Sequence, residues 1–549
     1  MQRTKKVNNC RSLIGIVFIL IGGCAVRLIP YIAFRGNFLG DLDPYRYLRA
    51  IGRILEQGRI PALDTAVAPI GTSATFAVNH GYYLLMSQLA LLTNAELVPL
   101  LGLSPIVFFI FFGLSLYIFA YYSSECESVA LMTILLVSFM PGWWGLVYYL
   151  SSNPLSENVG IALFPLILAA LVCFLNCKDR RYLMLSGFML GASFAIHPAT
   201  FVWASILTLL FFLTYFYSEK SKVSFFVSLA YIAMSLFLTI TPFFATMHLS
   251  DIRGFTEAAS YLTSLKEQYY VLSISQLIGE LGVIQIFFAT LGLLILKDQS
   301  KKRGILALAG LVFMSLLMLV SSFEILRKSL ENVPASGLFI LSHRMVPYLL
   351  QFVYFFASLA IIKYSSLFGR IGVRKIFVLF VAFMVGVSSF ATISNSYNFA
   401  LKFQVDNYND LFKWINVNTQ ENEVIIANLM DLNVWIRSIV ERPTVFSFSY
   451  EDLISKDMAN RILLYAAVYT FQYNHSLTLD LLIKYQVKYV VVVPEYHFID
   501  PLHGVLMSGV HSKNDISTYI TKLQDRNYLT LAYSNPLSSH FIFRVDTHT

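Results

Sequence analysis

The chain has 549 residues, of which 57% are hydrophobic, 15% aromatic and only 13% charged, with a mean hydropathy of +0.64. That balance excludes a soluble globular protein and marks a polytopic membrane protein. The net charge of +8 is dispersed over short clusters, which suits loops beside anionic headgroups and argues against a nucleic-acid partner; no long basic tract, zinc spacing or glycine-rich phosphate loop occurs.

Arg3, Lys5, Lys6 and Arg11 precede an apolar run from about Leu13 to Phe34 that lacks a small-residue cleavage signal. The run is predicted to be an uncleaved signal anchor with the N-terminus in the cytoplasm. Beyond it stands Gly40-Asp41-Leu42-Asp43-Pro44-Tyr45-Arg46-Tyr47-Leu48-Arg49. Asp41 and Asp43 are spaced i, i+2, and Pro44 is expected to hold Asp43 extended so that both carboxylates converge on one cation. On the outer face such a pair suits a hard divalent ion that neutralises a leaving phosphate. A bare Asp-x-Asp is a weak signal, and a solvated loop turn is the competing reading.

The run Tyr82–Leu92 is too short to cross a membrane and is expected to be re-entrant or interfacial. Spans are predicted at about 98–122, 129–149, 159–176, 182–197, 199–217, 223–247, 281–297, 304–322, 346–363 and 376–394. With the anchor, the fold class is a multispanning helical membrane protein of about eleven to thirteen spans. Alternating the spans from a cytoplasmic N-terminus puts Lys178-Asp179-Arg180-Arg181, Lys220 with Lys222, Lys297–Arg303 and Arg370–Lys375 all inside. These clusters did not choose the register, so they support it independently. Cys10, Cys24, Cys126, Cys173 and Cys177 imply no disulfide framework, because none lies in the polar tail.

From about Asn398 charged residues return. Leu481–Val493 reads as a helix followed by a buried strand, Val424–Ala427 and Thr530–Ser534 as short strands, and Asn407–Asn416 as an amphipathic helix. The expected organisation is a membrane domain over 1–397, with outer loops at 35–81, 150–158 and 248–280, and an extracytoplasmic α/β domain over 398–549.

Four outer stretches are candidates for one site. Asp41 and Asp43 form the first. Glu157, in Ser152-Asn153-Pro154-Leu155-Ser156-Glu157-Asn158, is the only acid at the mouth of an apolar helix, where a charge is costly without a partner and where a helix N-terminus also tolerates one. The third is Ser250–Glu280. The fourth is Ser342-His343-Arg344, whose guanidinium could grip a phosphate bidentately or snorkel to the headgroups. His197-Pro198 is read as an outer helix turn, Trp143-Trp144 as an interfacial belt, and Asn474-His475-Ser476 as an acceptor-type tripeptide.

These residues carry a resemblance to the catalytic subunit of oligosaccharyltransferase in its archaeal, single-subunit form, within the GT-C glycosyltransferases. Asp41-x-Asp43-Pro44-Tyr45-x-Tyr47-x-Arg49 is similar to the family's first-loop acidic motif, and Glu157-Asn158-Val159-Gly160-Ile161-Ala162-Leu163-Phe164 to its second-loop motif, with one acid lost at Val159. Arg344 resembles the arginine that holds the donor pyrophosphate. In the tail, Trp414-Ile415, Asn418-Thr419, Trp435-Ile436 and Arg442-Pro443-Thr444-Val445 resemble the flanks of the WWDYG motif, and Lys484–Val490 the strand after it. Where WWDYG should stand the chain reads Leu429-Met430-Asp431-Leu432-Asn433, so only the aspartate survives. Leu and Met cannot supply the rigid walls and N–H donors of two tryptophans. The outer-loop motif that ends in Glu in the family ends here in Gln276.

The resemblance implies Mg²⁺ or Mn²⁺ on Asp41, Asp43 and Glu157, with Asp43 also the acceptor-activating carboxylate. It implies Arg344 on the donor phosphates, and Asp431 with Gln276 in the acceptor pocket. The expected partners are a polyprenyl (dolichyl) (pyro)phosphate-linked glycan, a protein or glycan acceptor, and membrane lipids, at the cell membrane. Two other readings follow from the departures: a GT-C enzyme that moves a single sugar from a polyprenyl monophosphate to a lipid or glycan, and a non-catalytic glycolipid-binding or scaffold protein.

Overall fold

The computed structural model describes residues 9–33, 42–61, 79–139, 155–219, 222–244, 278, 281–296, 309–312, 314–315, 342–367, 405–445, 458–500 and 505–546, with isolated positions between 375 and 394. The described residues fall into two compact units, one drawn from Met1–Gly40, Asn79–Met247 and Lys266–Lys402, the other from Asp41–Val78, His248–Leu265 and Phe403–Thr549.

In the first unit the helices are α1 (Asn9–Ala33), α3 (His80–Thr93), α4 (Leu97–Ser124), α5 (Glu127–Phe139), α6 (Ser156–Cys177), α7 (Arg181–Ile196), α8 (Pro198–Glu219), α9 (Lys222–Phe244), α10 (Val283–Leu296) and α11 (Ser342–Leu367). The second unit begins with α2 (Leu42–Gln57). Three of the described helices, Leu97–Ser124, Ser156–Cys177 and Met345–Ser365, are long and apolar enough to cross a membrane. The helices match the predicted spans closely wherever residues are described, and α3 is the short fourteen-residue helix expected at Tyr82–Leu92. The predicted spans at 304–322 and 376–394, the Trp143-Trp144 pair and most of the third outer stretch lie outside the described residues.

The centre of this unit is α6, apolar on every face and accordingly buried on every face from Asn158 to Phe174, with only Leu166 near its middle less enclosed. It packs against α4, α7, α8 and α11. By contrast α1 buries Ile16, Leu20 and Val26 and leaves Leu13, Ile14, Val17, Phe18 and Ile21 exposed, an apolar stripe of the kind lipid covers. Helices α7 and α9 approach closely because Gly187 and Gly191, one turn apart, present bare Cα atoms to Ile232, Ser235 and Thr239. Small residues at i and i+4 replace the hydrophobic drive that is missing between helices in lipid.

The second unit continues with a 3₁₀ turn (Val405–Tyr408), α12 (Asn409–Asn418), β1 (Val424–Ala427), α13 (Met430–Trp435) running into a π turn (Ile436–Val440), α14 (Met458–Tyr469), α15 (His475–Lys484), β2 (Val487–Val492), β3 (Glu495–Asp500), β4 (Val505–Val510), α16 (Lys513–Gln524), β5 (Leu529–Asn535) and β6 (His540–Val545). The sheet order is β1-β2-β6-β5, with β1 and β2 parallel and the other pairs antiparallel, while β3 and β4 form a separate antiparallel pair. The β-branched run of β2 is buried at every position but Lys488, as a central strand covered by helices requires. Ile426, Val490, Val492 and Phe543 from the sheet meet Leu482, Tyr485 and Leu523 in one core. Asn474 caps α15 by accepting from the Ser476 and Leu477 amides, and Ser512 with Asp515 forms a capping box on α16.

Candidate active site

Glu157 lies in the first turn of α6, where the preceding Leu155 is extended and the unsatisfied amides favour a carboxylate. Its side chain is 15% exposed. Ser156 Oγ donates to Oε2 at 3.2 Å, and His197 Nε2 stands 3.4 Å from Oε1. His197 closes α7 in an extended conformation (φ −151°, ψ 94°), as a residue before proline should, and Pro198 opens α8 where a missing N–H costs nothing. The turn expected at His197-Pro198 is therefore present, but its imidazole is buried against the acid.

On its other side His197 Nδ1 is 2.8 Å from Thr200 Oγ1, and Thr200 Oγ1 is 2.5 Å from the Tyr348 hydroxyl on α11. Tyr348 is edge-on to Phe164 of α6 (5.0 Å) and to Trp203 of α8 (4.7 Å). Gly160, one turn beyond the acid, admits this chain: a Cβ there would strike Thr200 Oγ1 and come within 3.2 Å of the His197 ring. Val159, where the resemblance marks a lost acid, is buried. Arg344 lies on described helical backbone in the first turn of α11, four residues before Tyr348, so the two positions share one face of the helix.

In the second unit Asp43 lies inside the first turn of α2, and Pro44 follows it within that turn. This corrects the expectation that Pro44 holds Asp43 extended. A proline in the first turn forfeits no helical hydrogen bond, so the helix extends back past it. For Asp43 and Arg344 only the backbone is described, and Asp41 and Gln276 lie outside the described residues.

Helix α2 buries Tyr45, Tyr47, Ala50, Ile51 and Ile54 and packs on α13. Tyr45 meets Trp435 edge-on at 6.3 Å, and Trp435 meets Tyr408 at 5.5 Å. Trp435 is one turn after Asp431, as Tyr45 is two residues after Asp43, so one aromatic cluster ties the helices that carry the two acids. Asp431 is half-buried beside Tyr408, whose hydroxyl donates to Glu495 Oε2 at 3.4 Å. Burial first, then the charges of Glu495 and Asp431, push the Tyr408 phenol well above its ordinary range, so it stays a neutral donor.

The rest of the segment standing for WWDYG faces inward. Leu429, Met430, Leu432 and Asn433 are all buried. Asn433 bridges β1 to α13 by accepting from the Ala427 amide at 3.0 Å and donating to the Ala427 and Leu429 carbonyls, each at 3.0 Å.

No group of three or more His, Cys, Asp or Glu side chains in metal-holding geometry occurs among the described residues. Glu157 and His197 bring one oxygen and one nitrogen donor together, fewer than an ion needs.

No family model and no curated protein matches this sequence. Solved structures do match. The oligosaccharyltransferase of Archaeoglobus fulgidus, tethered to an acceptor peptide with an NVT sequon, aligns with a TM-score of 0.61 at 12% identity over 91% of this chain and 74% of its own. ArnT from Cupriavidus metallidurans, bound to undecaprenyl phosphate, aligns with 0.57 at 10% identity over 96% and 97%. The chain has the GT-C fold. It spans 40% of the arabinofuranosyltransferase AftD from Mycobacteria, where 96% of it aligns with a TM-score of 0.55 at 13% identity.

Sequence reasoning singled out Glu157 and Asp431 and read His197 as a turn residue, but gave no role to Thr200, Tyr348, Tyr408 or Glu495. The one signal available for His197 was its type, a histidine fixed at a helix junction by the proline after it.

Proposed function

We propose that this protein is a membrane glycosyltransferase that moves a glycan from a polyprenyl (pyro)phosphate carrier to an acceptor at the extracytoplasmic face. What carries the reading is Glu157, a carboxylate gripped by buried partners at the mouth of the central helix, in a fold shared along 97% of an enzyme bound to undecaprenyl phosphate. In the transfer the acceptor heteroatom bonds to the anomeric carbon as the anomeric C–O bond to phosphate breaks. The electron pair leaves with the carrier phosphate, and the acceptor proton passes to a carboxylate, Asp43 by resemblance. Arg344 is assigned to the phosphates, where a guanidinium stabilises the charge that develops on the leaving group. Asp41, Asp43 and Glu157 are the donors assigned to Mg²⁺ or Mn²⁺, which when bound supplies further charge neutralisation; the steps above do not depend on it.

The resemblance assigns an Asn-x-Ser/Thr protein acceptor, with Asp431 and Gln276 in its pocket. The burial of Leu429, Met430, Leu432 and Asn433 favours a second acceptor class, a lipid or glycan that receives a single sugar, because a segment committed to the core has few groups left to read a peptide hydroxyl. The test is transfer in membranes from a host deleted for the gene, supplied with native lipid-linked glycan and either a fluorescent Asn-x-Thr peptide or a glycan acceptor. Wild-type consumption of the lipid donor that disappears in Asp43→Ala and Glu157→Ala is expected, and the labelled product names the acceptor. Donor that survives untouched with the wild type refutes the enzyme reading.

A further inference from the structure

A row of polar groups crosses the first unit from α11 to the mouth of α6: Tyr348, Thr200, His197, Glu157. Successive members are 2.5, 2.8 and 3.4 Å apart. Thr200 is fully buried, Tyr348 is 1% exposed and His197 4% exposed, so a chance surface contact does not explain the row. Polar groups this deep are costly unless each has a partner, and here each engages the next.

We propose that His197 is a positioning residue for Glu157, held in one orientation by Thr200 and Tyr348. The proposal deepens the glycosyltransferase reading and rests on it for its kinetic consequences only. A carboxylate oxygen accepts and does not donate, so the nitrogen that faces Oε1, Nε2, carries a proton. Nδ1 faces the Thr200 hydroxyl and Thr200 faces the Tyr348 hydroxyl, and each hydroxyl can turn to donate one way and accept the other. In this arrangement no two donors and no two lone pairs confront each other. Both ring nitrogens are occupied, so His197 has no free nitrogen with which to act as the acid or base on substrate. Its effect is to fix one carboxylate oxygen while Ser156 Oγ holds the other from its own helix at 3.2 Å.

The geometry also explains why the row survives at a helix junction. Tyr348 cannot swing away because Phe164 and Trp203 hold its ring edge-on from two helices. Thr200 is fixed against the bare face of Gly160. The carboxylate of α6 is therefore oriented by groups on α8 and α11, the second of which also carries Arg344 one turn away.

The test uses full-length protein in membranes, with His197→Leu, His197→Gln, Thr200→Val and Tyr348→Phe. Glutamine is chosen because its amide N–H reaches about where Nε2 stands. Expected is a fall in kcat of about 10- to 100-fold for His197→Leu, in the range typical of groups that orient an active-site ligand, with the KM for the lipid donor changed less than about twofold. His197→Gln is expected to recover most of that loss, and Thr200→Val and Tyr348→Phe to lower kcat by smaller factors of about 3 to 10. Equal loss in the Leu and Gln variants, or loss expressed only in KM, overturns the proposal. A second arm needs no turnover: ¹⁵N spectra of histidine-labelled protein, with His197 assigned by its loss in His197→Gln. The expected form has Nε2 protonated, with the Nδ1 resonance shifting in Thr200→Val; a bare Nε2 overturns the proposal. A wild type that consumes no lipid donor yet shows the expected form refutes the enzyme reading and leaves the positioning chain standing.

Discussion

Trp435 joins the helix of the first acidic motif to the helix of Asp431, and Trp435→Leu tests how tightly. The ring is 3% exposed and makes two aromatic pairs, with Tyr45 at 6.3 Å and 72° and with Tyr408 at 5.5 Å and 39°. Its indole N–H has no hydrogen-bond partner among the described residues, so leucine orphans no acceptor and the change reports packing alone. At about 0.5–1.5 kcal/mol for each pair, the loss is about 1–3 kcal/mol, or roughly a 5- to 150-fold rise in the local opening equilibrium. Hydrogen exchange over Leu42–Gln57, measured in lipid nanodiscs, is expected to accelerate by that factor in Trp435→Leu. Tyr45→Leu is expected to accelerate it too, and the double variant by less than the product of the two. With Asp43 in its proposed role, transfer activity falls alongside, since position 43 is in the first turn of the loosened helix. Unchanged exchange in α2 while α13 itself loosens, or strict additivity, would refute the coupling.

Asp410 accepts from Asn535 at 2.8 Å, from Tyr533 and Ser538 at 3.1 Å, and faces His540 Nδ1 at 2.9 Å, which pins α12 to the β5–β6 hairpin. Burial raises its pKa, but the bonds from Asn535, His540 and Tyr533 together outweigh burial and hold it below the usual carboxylate range. A depressed folded pKa stabilises above the unfolded value of about 4 and loses that contribution as pH falls through the folded value. Asp410→Ala is therefore expected to cost about 2–3 kcal/mol at neutral pH and to blunt the acid transition below about pH 4 in near-UV circular dichroism. Gly187→Leu should push α7 off α9, since a Cβ there already lies 2.6 Å from the Ile232 carbonyl oxygen, and the loss of about 1–3 kcal/mol or more should appear as a lower thermal midpoint in detergent. Asn474→Ala should cost about 1 kcal/mol as a lost helix cap and Asn474→Asp almost nothing, read from the same melts.

Much of this architecture was readable from periodicity. The strand Val424–Ala427 and the helix-then-strand pair before Val493 emerge at their predicted places because β-branched runs bounded by polar turns have few other ways to be buried. Glu157 was visible as a lone acid on an apolar helix. Its partners were not, because Thr200 and Tyr348 are 148 residues apart in the chain and a hydroxyl in an apolar helix gives no local sign of what it will meet. Pro44 misled for a different reason: the rule that proline keeps its neighbour extended yields at a helix start, where the register of Tyr45, Tyr47, Ala50 and Ile54 commits the segment to α2.

The inward-facing segment Leu429–Asn433 bears on how such a protein can change. Leu432 and Asn433 are fully enclosed, and Met430 is 1% exposed beside a core that includes Val445, Ile462 and Tyr465. Tryptophans placed at positions 429 and 430 would have to enter space already filled by other side chains, while the loss of Asn433 would cut the bridge from β1 to α13. Each single step toward a peptide-reading pocket would thus weaken the domain before any new acceptor could be held. A larger side chain is therefore taken up more readily at the half-buried position 431 than at its enclosed neighbours.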